Sequence, residues 1–186
     1  SSTAPLPVQQ FYEIMFQAGI PDGALNMIAG PGDEVGSALV HHPGVDGVAF
    51  TGSLRVGREI MAAAAGRQRP VIAEMGSKNP IIVTAEADLE RAARGVLSSA
   101  FGYAGQKCSA CSRLYAQDLI FEDLMARLAE EAEGLRVGDP FERDTFIGPV
   151  ITRRALDNYL GWVRKAAEGG KVLTGGKRIG SGKLAR

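Results

Sequence analysis

Short apolar runs alternate with amphipathic helical stripes along this chain, and that alternation restricts its fold more than any other feature. Residues 3–18 carry Val8, Phe11, Tyr12, Met15 and Phe16 at helical spacing. The turn Pro21-Asp22-Gly23 stops that helix. LNMIA, 25–29, reads as a short buried strand, and 33–41 as a short helix opened by Asp33. VDGVAF (45–50) and PVIAEM (70–75) read as strands, and Ser53 caps a helix between them that runs to about Ala65. PIIVT (80–84) starts a second series. Asp88 caps a helix with Leu89, Ala92, Ala93, Val96, Leu97, Ala100 and Phe101 on one face. Strand RLYA (113–116) precedes a helix opened by Asp118, with Ile120, Phe121, Leu124, Met125, Leu128 and Ala132 inward. The loop GDPFERD (138–144), a helix from Thr152 to about Glu168 and a strand KVLT (171–174) follow. Repeated strand–helix–strand order builds a parallel sheet covered by helices. The expected class is therefore α/β, with parallel strands covered by helices. The stretch GSKNP, 76–80, is the expected crossover, dividing 1–75 from 76–186.

Charge narrows the function classes. Twenty-one Lys and Arg balance 21 Asp and Glu in 186 residues. Nucleic-acid binding needs a basic excess or stripe, so no nucleic-acid partner is expected. No apolar run approaches the length of a membrane span, so no membrane partner is expected either. The sequence shows no basic-then-apolar leader. Two cysteines do not make a disulfide framework, which points to a reducing compartment.

Both cysteines lie in GQKCSACSR, 105–113, spaced C-x-x-C. A thioredoxin-like pair sits after a strand at a helix start. Here the pair follows a helix and precedes a strand, which is the wrong order. A structural zinc wants four ligands, and the other candidates, His41 and His42, read as helix-end or loop residues; no metal is expected. Buried packing thiols remain open for both positions. Around Cys108 the neighbours Gly102, Gly105, Gln106 and Ser109 are small or polar, as a partly exposed nucleophile requires. Cys111, entering a strand, suits packing.

GQKC at 105–108, FTGS at 50–53 followed by Gly57, and EMGSKN at 74–79 occur in this order. Together they resemble the NAD(P)-dependent aldehyde dehydrogenase superfamily. GQKCSACSR and EMG are most similar to its 1-pyrroline-5-carboxylate dehydrogenases, which oxidise glutamate semialdehyde to glutamate in proline catabolism. The resemblance covers essentially all of this chain and places it in the middle of a longer polypeptide. It implies a Rossmann-like parallel sheet segment, 1–75, as the second half of an NAD(P)-binding domain, followed by 76–186 as the first part of an α/β catalytic domain. It implies that Cys108 is the nucleophile that attacks the aldehyde, and that its backbone N–H forms half of an oxyanion hole. Glu74 matches the base that activates water to hydrolyse the resulting thioester; read alone it is a solvated strand-end acid. Gly52 and Ser53 match the turn and helix start facing the cofactor pyrophosphate, where free N–H groups and the helix dipole favour anions. Read alone, Ser53 is simply a cap. Gly32, Gly36, Val56 and Met75 also match cofactor-side positions. Gly30-x-Gly32-x-x-x-Gly36 is one residue longer than the usual dinucleotide fingerprint. Ser109 matches a substrate-carboxylate contact, with a local turn hydrogen bond as its other role.

The chain departs from the family pattern in places. Ser77 stands where a second glycine is usual. Ser2 stands near the place of an acid that grips the adenosine ribose, which leaves NAD or NADP open. The side-chain half of the oxyanion hole, a lysine and a later ribose-holding acid lie outside this segment. The expected parent is a cytoplasmic or organelle-matrix homo-oligomer oxidising an aldehyde with NAD, or NADP; the 186 residues alone are expected to turn over poorly. Two other classes stay open: a non-catalytic nucleotide-binding or assembly module, and a dithiol redox protein.

Overall fold

The computed structural model describes residues 4–180, so Ser2 lies outside the described residues. The chain divides into two compact units between Met75 and Gly76.

The first unit opens with helix α1, Pro5–Gln17. Proline fits the first helical turn because its missing N–H has no partner there. The expected inward stripe is not buried: Val8, Phe11 and Phe16 are exposed, and α1 buries no residue. Residues 25–29 do not form a strand. A strand exists only through its ladder, and this segment has no partner among the described residues. A single π turn, Gly32–Gly36, runs into the short helix α2, Ser37–His41. Asp33 lies within that first turn and does not cap it. Strand β1, Val48–Gly52, starts later than its apolar run, because the Val45 N–H is spent in a turn on the His42 carbonyl (3.2 Å). Helix α3, Leu54–Ala65, follows at once, with Ser53 Oγ accepting from the Val56 N–H (3.3 Å). Strand β2, Val71–Met75, lies parallel to β1, from Val48 opposite Val71 to Gly52 opposite Met75.

Helix α3 buries Gly57, Ile60 and Ala64. A Cβ on Gly57 would lie 2.5 Å from Met75 Sδ, so glycine lets the helix approach the strand. Two arginines after α3 close the end of α2. Arg69 donates to the carbonyls of Val40 (3.1 Å), His42 (2.9 Å) and Pro43 (3.2 Å), and Arg67 to that of His41 (2.7 Å). Cations at a helix C-terminus satisfy its orphan carbonyls and meet its negative dipole end.

The second unit repeats the strand–helix–strand scheme with a larger core. Strand β3, Asn79–Val83, is parallel to β4, Cys111–Ala116. Asn79 faces Cys111 but Pro80 faces Arg113, so Ser112 is an extra residue in the ladder. Helix α4, Leu89–Phe101, is capped by Asp88, which accepts from the Arg91 N–H (3.1 Å). Helix α5, Asp118–Glu133, is preceded by Gln117 in the capping position, so Asp118 lies inside the first turn. Gln117 Oε1 accepts from the Ala85 N–H (2.6 Å), tying the start of α5 to the end of β3. Val83, Ala93, Val96, Leu97, Ile120, Leu124 and Leu128 form one buried cluster. Phe101 and Phe121, read as inward, are exposed at the edges of the stripe. Helix α6, Arg153–Gly169, is capped by Thr152, which accepts from the Ala155 N–H (3.1 Å). An Arg136–Asp144 ion pair and a bridge from Val137 to Ile147 hold the intervening loop. Residues 171–174 form no strand, again for want of a ladder partner among the described residues. No described helix is long and apolar enough to cross a membrane.

Candidate functional site

The polypeptide between α4 and β4 is bent and held at several points. A 3-10 turn, Gly102–Gly105, follows α4. Tyr103 (φ 59°), Ala104 (φ 54°) and Gly105 (φ 67°) are all left-handed. Only glycine adopts this region freely; each of the other two costs about 1–2 kcal/mol. A Cβ on Gly105 would lie 2.9 Å from the Ala100 carbonyl oxygen, so glycine is required there by space as well. Lys107–Ala110 then form a tight turn closed by the Ala110 N–H on the Lys107 carbonyl (3.3 Å).

Cys108 is the second residue of that turn. It is exposed, and its backbone N–H has no partner among the described residues. Ser109, beside it in the turn, is exposed, and its hydroxyl has no described partner. The turn is thus closed by backbone, without help from the Ser109 side chain. Cys111 is different in kind. It is buried at the start of β4, its N–H donates to Ser99 Oγ (3.1 Å) and its thiol to the Arg113 carbonyl (3.3 Å). The two thiols are therefore one exposed group and one packed group, and both are free.

Four side chains fasten this loop. Asn79 Nδ2 donates to the carbonyls of Cys108 (2.7 Å) and Ala110 (3.3 Å). Gln106 Oε1 accepts from the Ile151 N–H (2.8 Å). The Arg113 guanidinium donates to the Lys78 carbonyl through Nε (3.2 Å) and Nη2 (2.7 Å). Ser99 holds Cys111 as above. Asn79, Arg113 and Ser99 carry no role that the sequence alone assigns. Asn-Pro reads as a turn signal, and nothing local announces that a parallel pairing will set the start of β3 against the start of β4.

The remaining candidates lie in the first unit, mostly at the carboxyl edge of β1 and β2. Gly52 and Met75 are cross-strand partners at that edge, and Ser53 begins α3 directly beyond it. Gly52 and Ser53 are exposed, and Val56 is partly buried one turn into the helix. The carboxyl edge of parallel strands, with a helix N-terminus upon it, is where open α/β sheets take nucleotides. The site thus fits a dinucleotide phosphate: two exposed small residues and unspent N–H groups at the edge. Gly32 and Gly36 bound the π turn. A Cβ on either would meet nothing, so internal packing does not demand glycine at these positions. Glu74, opposite Thr51 in the ladder, is exposed, and its carboxylate has no described partner. His41 and His42 spend Nδ1 on the Ser37 carbonyl (2.9 Å) and the Gly44 N–H (3.1 Å). No group of three or more His, Cys, Asp or Glu suited to a metal occurs among the described residues. A cavity of about 480 Å³ lies behind the cysteine loop, lined by Phe101, Ala104, Leu135, Ile147, Leu156 and others, but Cys108 and Asn79 are not in its wall.

Known proteins match this arrangement along nearly its whole length. The model of the aldehyde dehydrogenase family matches residues 1–185. A 1-pyrroline-5-carboxylate dehydrogenase from Anoxybacillus flavithermus is 43% identical over 183 residues, which is 95% of this chain and 36% of that protein. The alpha-ketoglutaric semialdehyde dehydrogenase of Bacillus subtilis is 42% identical over 168 residues, 90% of this chain and 34% of that protein. Among solved structures, betaine aldehyde dehydrogenase from Staphylococcus aureus in complex with NAD+ superposes with a TM-score of 0.94 at 36% identity, covering 99% of this chain and 37% of that one. The chain spans about 36% of the length of the curated relatives it matches. The strand-edge glycine and serine, the exposed cysteine turn and the match over residues 1–185 converge: the chain belongs to the aldehyde dehydrogenase family.

Proposed function

We propose that the protein containing this segment oxidises an aldehyde to a carboxylate with NAD as acceptor. The carrying observation is Cys108, an exposed thiol on a fixed turn whose own N–H is unspent. The Cys108 thiolate adds to the aldehyde carbon, and the charge arising on the aldehyde oxygen is received in part by the Cys108 N–H. Bound NAD supplies the acceptor for the hydride lost from that carbon, and NADP is the other acceptor of the same chemistry. The thioester left on Cys108 is then cleaved by water, whose proton Glu74 takes; the carbon–sulfur bond breaks, the acid leaves and the thiolate is restored. Gly52 and Ser53 hold the cofactor phosphates, with Gly32, Gly36, Val56 and Met75 on the cofactor side. In this reading the first unit is the second half of the NAD(P)-binding domain and the second unit the N-terminal part of the catalytic domain.

The substrate is 1-pyrroline-5-carboxylate in its open form, glutamate semialdehyde. The similarity to 1-pyrroline-5-carboxylate dehydrogenases supports this. Ser109, exposed and unpartnered next to the nucleophile, is suited to donate to the substrate carboxylate. A second reading, another aldehyde bearing a carboxylate, is supported by the 42% identity to the alpha-ketoglutaric semialdehyde enzyme. The parent is a homo-oligomer of the cytoplasm.

The test is aldehyde-dependent reduction of NAD by the full-length protein. Cys108→Ala is expected to lower kcat by at least about 1,000-fold, because the covalent route is lost. Undiminished turnover by that variant sinks the reading. Turnover of glutamate semialdehyde against alpha-ketoglutaric semialdehyde decides the substrate.

A further inference from the structure

We propose that Asn79 is a positioning residue for the Cys108 nucleophile, an inference that rests on the reading of Cys108 above. Two peptide planes meet at the Cys108 Cα, and each is fixed by a different bond. The plane before it carries the Lys107 carbonyl, which accepts from the Ala110 N–H (3.3 Å). The plane after it carries the Cys108 carbonyl, which accepts from Asn79 Nδ2 (2.7 Å). With both planes held, φ and ψ of Cys108 are held, and so is the direction in which its Cβ and sulfur leave the backbone. The first plane also contains the Cys108 N–H, so its direction is set by the same turn.

The second proton of the Asn79 amide closes the device. It reaches the Ala110 carbonyl (3.3 Å), so one side chain holds two of the turn's carbonyls, those of Cys108 and Ala110. Two carbonyl oxygens face this group, which requires the NH2 end and excludes the amide oxygen. An aspartate of the same shape would offer two acceptors to two acceptors.

The fold explains why an asparagine in the first position of β3 can do this. The β3–β4 pair is parallel, so the start of β3 lies beside the start of β4, and the cysteine loop is the segment that enters β4. The bulge between the Asn79 and Pro80 pairings sits at this place; bulges re-aim side chains at the ends of ladders. Pro80 confines Asn79 to an extended backbone. Arg113 fixes the Lys78 carbonyl immediately before Asn79 through two bonds, so the anchor is itself anchored. On the far side, the left-handed run Tyr103–Gly105 stores strain that would relax by moving the loop. The Asn79 and Gln106 bonds oppose that movement.

The experiment uses the full-length protein with Asn79→Ala, Asn79→Ser, Asn79→Asp and, as reference, Cys108→Ala. Steady-state kinetics are read together with the rate at which iodoacetamide labels Cys108, located by peptide mapping. Asn79→Ala is expected to lower kcat by about 10–100-fold while KM for the aldehyde stays within about twofold, since a misplaced nucleophile costs rate more than binding. Asn79→Ser keeps one donor and recovers part of the loss. Asn79→Asp is at least as slow as Asn79→Ala. A kcat and labelling rate for Asn79→Ala within about twofold of the unaltered protein overturn the proposal. If Asn79→Ala does not fold, Ser against Asp decides, and equal kcat per folded molecule overturns it. Full turnover by Cys108→Ala sinks the nucleophile reading itself; a dead Cys108→Ala beside an unaffected Asn79→Ala sinks only this inference.

Discussion

The two units are built on the same strand–helix–strand plan and use opposite edges of it. In the first, the candidate residues Gly52, Ser53 and Met75 stand at the carboxyl ends of β1 and β2. In the second, Cys108 and Asn79 stand at the amino ends of β3 and β4. The carboxyl edge suits a ligand because a helix begins there, with unspent N–H groups. The amino edge lacks that advantage. What it offers instead is the return segment from helix to strand, which can be bent, strained and pinned by the neighbouring strand. The units also differ in what holds them. The second has a continuous apolar cluster of seven buried residues. Among the described residues the first buries only Gly57, Ile60 and Ala64, all in α3, and it leans on arginine-to-carbonyl bonds.

That contrast is breakable by measurement. Leu124 is fully buried at the centre of the second unit. Leu124→Ala is expected to destabilise it by about 2–5 kcal/mol in denaturant unfolding, against about 0.5 kcal/mol or less for Phe11→Ala on the exposed face of α1. Comparable losses from the two would erase the distinction between a packed and a thinly packed unit. Gly105→Ala tests the strained return segment. Left-handed backbone and the Ala100 carbonyl both oppose a Cβ, so the loss is about 1–3 kcal/mol, together with slower labelling of Cys108. Arg69→Ala removes three bonds to the end of α2, and a loss of about 1–2 kcal/mol confined to the first unit is expected by hydrogen exchange. The smallest effects belong to the caps. Asp88→Ala should cost about 1 kcal/mol and Ser53→Ala somewhat less, because the charged cap at 3.1 Å also meets the helix dipole and the hydroxyl at 3.3 Å does not. A larger loss for Ser53 would mean that its role in the fold exceeds that of a cap.

Much of the fold was legible because it rests on local rules. Ser53 and Asp88 cap the helices whose caps they are expected to be, and Thr152, expected to start a helix, caps it, since a hydroxyl or carboxylate three residues ahead of a free N–H needs no distant partner. Strands β2 and β3 were found from apolar runs between turn signals. The segments 25–29 and 171–174 carry the same kind of signal and form no strand, because strand formation requires a second strand, and local composition does not say whether one is present. The α1 stripe failed for a related reason: periodicity names a face, and burial needs something to lie against it.

At the candidate site the division is sharper. The residue types at the site can be read along the chain: one cysteine among small polar neighbours, a second cysteine entering a strand, a glycine and serine before a helix, and an acid near the end of a strand. Chemistry of this kind is written in side chains and their immediate neighbours. Folding in three dimensions is what lets Asn79, 29 residues before Cys108, hold the carbonyl of that cysteine, and Arg113 in turn hold the residue before Asn79. Those bonds exist because two strands pair in parallel and bring their starting ends together. Register is a property of the pair and of what the sheet buries, so no single stretch of sequence contains it.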